Sequence, residues 1–205
     1  MDCCGRSHAW YTYDVTNRWK PPLVRCLVVG ENPGDTDSMY FYDVPAGRDP
    51  VRVRTNLLHG LTAAGLLREP TLVAFRAAGF LFDHGIRCHM TFEEIKAIAR
   101  TADRVDPPLP TMPTYLRPLI EEAAAVWVMG RIARKAVGVV VKDFPPVRNK
   151  ISKPPYPCRL SGTKYFVSRY LSRMSRNRAA TIARALREAF PEVFVDACRQ
   201  GRGRA

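Results

Sequence analysis

The residues best suited to chemistry lie in one short turn, the sequence GENPG at residues 30–34. Glu31 supplies a carboxylate and Asn32 a side-chain amide, and the glycines and proline around them predict a tight turn. An apolar run at residues 27–29 precedes the turn and predicts a buried parallel strand. Open α/β folds bind their ligands at the carboxyl ends of such strands, so we expect a reaction site here.

Aromatic side chains follow the turn closely. Phe41 and Tyr42 lie about ten positions after Glu31 and offer flat apolar surfaces on which a planar ligand can stack. Packing in the protein core is the alternative for each ring. We expect one of the two to stack on a ligand while its neighbour packs inward.

Alternating strands and helices must hold this turn in place. Four apolar segments predict strands, and they lie at residues 27–29, 79–82, 125–130 and 164–167. Helical periodicity between them predicts a three-layer α/β/α fold around a central, mostly parallel four-stranded sheet. The strand ends would then meet at one rim, at Gly30, Asp83, Gly130 and Ser168. Residues 143–157 contain five prolines and predict an extended basic loop.

Length and composition favour a single domain over residues 1–205, with 46% hydrophobic residues. Several aromatic residues in positions 1–22 predict an N-terminal segment packed on the body, and we expect residues 199–205 to form a disordered tail. No apolar run reaches the roughly 20 residues that cross a bilayer, and no export signal begins the chain. We therefore expect no membrane association and a cytoplasmic protein, associated with the nucleoid if the source is bacterial.

The charge balance indicates a polyanionic partner. The formal net charge is +13 and the pI is near 9.9, and most of the basic residues are arginines. Arginine donors suit phosphate oxygens, and nucleic acid is the commonest partner of so basic a chain. A solvated basic surface without a partner is the alternative.

The turn and the order of the elements after it resemble the uracil-DNA glycosylase superfamily, over roughly residues 23–190. GENPG matches the first motif of that superfamily, with Asn-Pro-Gly as in its mismatch-specific and single-strand-selective branches and a glutamate as in its thermostable branch. LSRMS at residues 171–175 resembles the second half of the last motif, but the histidine that usually precedes it is absent.

The resemblance implies a monomeric DNA-repair glycosylase that flips uracil out of single- or double-stranded DNA and hydrolyses its N-glycosidic bond. Asn32 would orient the attacking water. Glu31 would act as general base or stabilise the positive charge that develops on the sugar. Arg169 or Ser168 would take the place of the missing histidine as the group that stabilises the uracil oxyanion.

Base recognition would come from the ends of the first two strands. Backbone N–H groups of the turn that starts at Gly30 can bind uracil O2, and Phe41, or else Tyr42, would stack on the ring. Uracil also presents a donor at N3 and an acceptor at O4; Asp83 can accept and His84 can donate. A cap for Asp83 and a satisfied core imidazole for His84 are the structural alternatives.

The last motif would bind the DNA and fill the space that the flipped base leaves. Leu171, Arg173 and Met174 are the candidates for the wedge. The full set of predicted DNA contacts is Ser168, Leu171, Ser172, Arg173, Met174 and Arg176.

We expect no metal and no other cofactor. The thermostable branch carries a four-cysteine cluster, but Cys3 and Cys4 are adjacent here, and no C-x-x-C pair occurs. Two alternatives stay open. One is a glycosylase for mismatched or other deaminated bases (hypoxanthine, xanthine), and the other is a non-catalytic nucleic-acid-binding protein on the same fold.

Overall fold

One sheet of five strands organises the part of the chain that the computed structural model describes, residues 13–31, 41–42, 52–87, 92–100, 113–145, 155–170 and 175–194. The strands are β1 Cys26–Gly30, β2 Phe80–His84, β3 Ala125–Met129, β4 Tyr156–Leu160 and β5 Thr163–Ser168. The helices are α1 Tyr13–Trp19, α2 Arg52–Ala63, α3 Leu72–Ala77, α4 Phe92–Arg100, α5 Leu116–Glu122, α6 Arg131–Val140 and α7 Arg176–Ala189.

The strand order is β2-β1-β3-β5-β4, and only β4 runs antiparallel to its neighbour. The predicted α/β fold with a mostly parallel sheet is therefore confirmed. The predicted number of strands is wrong, since the sheet has five strands rather than four. The additional strand, β4, begins within the proline-rich stretch that was expected to be a loop.

A tight hairpin creates the fifth strand. Ser161 and Gly162 join β4 to β5, and both have positive φ, 49° and 83°, as a type I′ turn requires. β4 lies at the sheet edge, where Pro157 is tolerated because an edge strand need not donate on both sides. Its residues are only partly buried or exposed, so it lacks the continuous apolar run that marks a central strand.

Two apolar layers cover the two faces of the sheet. The strands contribute side chains to both layers because alternate side chains point to opposite faces. Val28, Phe82 and Trp127 belong to the first layer, with α2, α3 and α7. Leu27 and Val128 belong to the second, with α4, α5 and α6. This confirms the three-layer arrangement.

The N-terminal helix α1 adds to the first layer. Trp19 at its end stacks on Tyr42, with ring centroids 5.5 Å apart, and Thr16 is buried. Residues 1–12 and the predicted tail at residues 199–205 lie outside the described part of the chain. No helix of the described residues is long and apolar enough to cross a membrane.

Candidate functional site

The strand order places a topological switch point between β1 and β3. From β1 the chain moves to β2 on one side, and it then crosses to β3 on the other side. The chain therefore passes from β1 and from β3 to opposite sides of the sheet, and open α/β sheets bind ligands at the carboxyl ends of the strands at such a point. Gly30 ends β1 and Gly130 follows β3, so the predicted turn at residues 30–34 begins at this switch point.

Glu31 connects the end of β1 to the start of α6, the helix that follows β3. Its carboxylate accepts a hydrogen bond from the backbone N–H of Arg131 at 3.0 Å and a longer one from that of Ile132 at 3.5 Å. These donors belong to the first turn of α6, whose N–H groups have no partner within the helix. The positive end of the helix dipole also favours a carboxylate at this position. Glu31, which directly follows β1, thus caps the N-terminus of α6.

The backbone of the first two residues of the predicted turn is fixed as well. The carbonyl of Gly30 accepts from the N–H of Gly85 at 2.8 Å, and the carbonyl of Glu31 accepts from the N–H of Ile86 at 3.0 Å. These bonds continue the β1–β2 contact beyond both strands, to Glu31 one residue after β1 and to Ile86 two residues after β2. The chain thus enters the GENPG turn from a backbone that is held on one side by β2 and on the other by α6.

Two glycines make room for this arrangement. Gly130 has a φ of 93°, and a Cβ at this position would overlap the Glu31 carboxylate. A Cβ at Gly30 would lie 2.5 Å from the Cζ of Phe82. Any larger residue at either position must displace the carboxylate or the aromatic ring.

Asp83 and His84, the two predicted base readers, point to opposite faces of the sheet because they are consecutive in β2. His84 pairs with Gly30 in the parallel register, and its ring makes an edge contact with Phe82 at 4.9 Å. It therefore lies on the same face as Phe41, beside the end of β1. Asp83 lies on the face that α5 and α6 cover, so the structure does not bring the two side chains together.

Asp83 has a separate set of partners. Its buried carboxylate accepts from Arg87 at 2.5 Å and 3.2 Å and from the backbone N–H of His84 at 2.7 Å. The Arg87 guanidinium lies 4.0 Å from the centroid of the Tyr115 ring. The Tyr115 hydroxyl shares its proton between two carbonyls, that of His84 at 2.8 Å and that of Gly85 at 2.9 Å. This cluster fixes the end of β2 from the second layer.

The two aromatic candidates are buried. The ring of Phe41 stacks on that of Phe82 with centroids 4.0 Å apart, and Tyr42 packs edge-on against Phe41. The Tyr42 hydroxyl accepts from the backbone N–H of Phe82 at 2.7 Å and donates to its carbonyl at 3.1 Å. Both rings thus lie on the face of β2 that belongs to the first layer. Stacking of either ring on a base stays a prediction.

The end of β5 carries the residues proposed to replace the missing histidine. Ser168 is buried; its hydroxyl accepts from Trp127 Nε1 at 2.8 Å and donates to the carbonyl of Arg169 at 3.0 Å. The Arg169 side chain is exposed. Burial, and secondarily the negative charge of Glu31, raises the pKa of the Tyr170 hydroxyl.

A basic rim surrounds the start of α7. Ser175 caps this helix by accepting from the N–H of Arg178 at 3.4 Å, and both Arg176 and Arg178 are exposed in the first turn. Helix N-termini and arginines are both suited to phosphate groups. The other predicted residues of this rim, residues 171–174, lie outside the described part of the chain, as does Asn32.

Sequence reasoning missed several groups of the site. Arg87 stands four positions after Asp83, a spacing that can bring opposite charges together, and Tyr115 follows a proline-rich stretch without any local pattern. Tyr170 is an aromatic residue two positions beyond a predicted strand end. The Glu31–Arg131 hydrogen bond joins residues a hundred positions apart, so no local pattern predicts it.

A scan against protein-family models finds no match to this chain, and a search of curated proteins finds no significant relative. Within the described ranges, no three His, Cys, Asp or Glu side chains lie close enough to hold a metal ion. The functional assignment therefore depends on the fold, the site geometry and the chemistry of the residues themselves.

Proposed function

We propose that the chain is a DNA-repair glycosylase that hydrolyses the N-glycosidic bond of deoxyuridine in DNA and leaves an abasic site. In this proposal it works as a cytoplasmic monomer without a cofactor. The observation that carries the proposal is the position of Glu31. It lies at the sheet's switch point, fixed to the start of α6, with His84 on the neighbouring strand end and Asn32 next in the chain.

Glycosidic hydrolysis breaks the bond between the sugar C1′ and uracil N1. The bonding electrons leave with the base, a water molecule adds to C1′, and the released base takes up a proton. Positive charge develops on the sugar in the transition state. The Glu31 carboxylate is held by backbone donors, so it suits a fixed negative charge that stabilises this sugar better than a base that must move. Asn32 would orient the water.

Of the two predicted base readers, His84 is favoured. It shares a face with Phe41 and Phe82 and lies beside Gly30, where the turn begins. A donor on the His84 ring would bind a uracil carbonyl, O4 or O2, and so limit the negative charge on the departing base. Asp83 is committed to Arg87, and its role in the proposal is to fix the end of β2.

DNA would be held along the basic rim. Three exposed arginines lie just after the end of β5 and in the first turn of α7: Arg169, Arg176 and Arg178. They are on the edge of the sheet where the predicted turn begins. Phosphate contacts at this edge would keep the strand in register while one base enters the site. The predicted wedge residues Leu171, Arg173 and Met174 stand in the sequence between β5 and α7, outside the described residues.

A second substrate follows from the same chemistry. Hypoxanthine presents an N–H donor beside a carbonyl acceptor, as uracil does, so a His84-based reader does not by itself separate the two bases. Substrate range would then depend on the size of the site, because a purine is larger than a pyrimidine.

The test is an excision assay. Oligonucleotides that carry one uracil, hypoxanthine or xanthine, each single-stranded and in duplex, are incubated with the protein and treated with hot alkali, which cleaves at abasic sites. The proposal expects cleavage at uracil and none in an undamaged oligonucleotide. Cleavage at hypoxanthine alone would support the second substrate, and binding to every oligonucleotide without any cleavage would indicate a non-catalytic nucleic-acid-binding protein.

A further inference from the structure

A tyrosine at the carboxyl edge of the sheet has no role in the chemistry described above. Tyr170 lies two residues after the end of β5, and its ring is partly buried against the first layer. Ser168, the last residue of β5, faces the same layer, because its hydroxyl accepts from Trp127 Nε1 at 2.8 Å. Tyr170 therefore lies on the face of the sheet to which His84 and Phe82 belong.

A series of short contacts connects this end of β5 to Glu31. The carbonyl of Ser168 accepts from the backbone N–H of Gly130 at 2.9 Å, and a Cβ at Gly130 would overlap the Glu31 carboxylate. Burial raises the pKa of the Tyr170 hydroxyl, and the negative charge of Glu31 raises it further. Because the effect of a charge falls with distance, the phenol and the carboxylate belong to the same site.

The Tyr170 hydroxyl is available as a hydrogen-bond donor. Among the described residues it takes part in no hydrogen bond, whereas the Ser168 hydroxyl already donates to the carbonyl of Arg169 at 3.0 Å. A hydroxyl has a single proton to donate, so Ser168 would have to break this bond in order to donate to a base. A phenol keeps its proton at neutral pH, since its ordinary pKa is about 10.

Negative charge develops on the carbonyl oxygens of the departing uracil, and a fixed neutral donor stabilises it. We infer that the Tyr170 hydroxyl donates a hydrogen bond to one carbonyl of the flipped uracil, in the role predicted for Ser168 or Arg169, while His84 binds the other. The two donors would approach the base from opposite sides, because β1 and β3 separate β2 from β5.

The phenol does not give up its proton in this step. The electrons of the bond between C1′ and N1 leave with the base, the hydrogen bond from Tyr170 stabilises the resulting anion, and the released base then takes a proton from water. This role rests on the proposed function, because it adds a catalytic residue to the same reaction.

The test compares two leaving groups, uracil and 5-fluorouracil, in single-turnover excision from a duplex. Fluorine withdraws electrons from the ring, so 5-fluorouracil departs more easily as an anion and depends less on a donor. Tyr170→Phe keeps the ring and removes the hydroxyl. It should slow excision of uracil by about tenfold or more and slow excision of 5-fluorouracil less, so the ratio of the two rates shifts towards 5-fluorouracil.

Tyr165→Phe is the matched control. Tyr165 belongs to β5 as well, but its ring lies in the second layer. Removal of its hydroxyl should leave both excision rates, and their ratio, unchanged. Rates are corrected for the folded fraction from urea titrations, and Tyr170→Phe should keep the urea midpoint of the original chain because its hydroxyl has no hydrogen bond among the described residues.

Three results would overturn this role for Tyr170 and leave the proposed function intact. The first is full uracil excision by Tyr170→Phe. The second is an equal loss of rate for uracil and 5-fluorouracil, which would make Tyr170 a positioning residue. The third is a loss that the lowered folded fraction accounts for. Absence of excision of both bases by the unaltered chain would instead overturn the proposed function itself, so the two failures are distinguishable.

Discussion

The carboxylate of Glu31 caps helix α6 by accepting a hydrogen bond from the backbone N–H of Arg131 at 3.0 Å, across a sequence separation of one hundred residues. This bond ties the end of β1 to the helix that follows β3. The bond fixes the Glu31 carboxylate relative to both strands and uses a backbone donor that would otherwise lack a partner within the helix.

Substitutions at Glu31 separate its structural role from its charge. Glu31→Ala removes the cap and should lower the free energy of unfolding by about 1–2 kcal/mol, whereas Glu31→Gln keeps an acceptor oxygen and should cost less than about 1 kcal/mol. Both variants should lose at least tenfold in the single-turnover rate of uracil excision, because neither carries the charge. Urea titrations and rapid-quench assays measure the two quantities. Full activity of Glu31→Gln would show that the charge of Glu31 takes no part in the chemistry.

Gly130, directly before α6, and Gly138, within α6, provide a matched pair of substitution sites. Gly130→Ala places a Cβ against the Glu31 carboxylate at a φ of 93° and should destabilise the protein by about 1–3 kcal/mol. Gly138→Ala adds a Cβ within α6 that meets no atom within 4 Å apart from the helix's own neighbouring backbone, so it should stabilise the protein by about 0.5–1 kcal/mol. Thermal unfolding measures both. Equal effects of the two substitutions would contradict the close approach of Glu31 to Gly130.

The neighbours Asp83 and His84 should behave differently. Asp83→Ala leaves Arg87 without its buried carboxylate partner and should cost about 3 kcal/mol or more of stability. His84→Asn should change stability less than Asp83→Ala does and should lower the excision rate at least tenfold. Rates corrected for the folded fraction, alongside urea titrations, distinguish the two. If instead the loss of activity followed Asp83 and spared His84, the base reader would be Asp83.

Arg176 tests the basic rim at the start of α7. Arg176→Ala should weaken DNA binding at low salt and reduce the slope of log K against log salt by about one, as the loss of one phosphate contact requires. Arg117→Ala is the control, since Arg117 is exposed on α5 in the other layer. Anisotropy titrations at several salt concentrations measure the slope. A slope that changes equally in both variants would assign DNA binding to net charge rather than to this rim.

The sequence predicted the fold well because the central strands are short apolar runs that alternate with helices. Residues 27–29 and 125–130 mark strands β1 and β3, and the order of elements then places the turn at the carboxyl edge. Strand β4 was not predicted, because its stabilising partners lie across a hairpin and its residues are only partly buried. The Ser161-Gly162 pair was the local indication of that hairpin.

The site was predictable only in part. The turn and the candidate residues could be read from the chain, but the orientation of each side chain depends on contacts between distant elements. His84, and not Asp83, faces the first layer. This orientation follows from the pairing of β2 with β1 and from the hydrogen bonds between Asp83 and Arg87. The cap on α6 depends on the approach of β1 to the helix after β3, which no local pattern encodes.

The most direct test of the proposed chemistry is the fate of water oxygen during the reaction. A duplex with one uracil is incubated with the protein in ¹⁸O-labelled water, and both products are analysed by mass spectrometry after rapid reductive trapping of the sugar. We predict unlabelled free uracil and an abasic sugar that carries ¹⁸O at C1′, with both products lost in the Asn32→Ala variant. Absence of free uracil with the unaltered chain, or equal product formation by Asn32→Ala, would contradict the proposal.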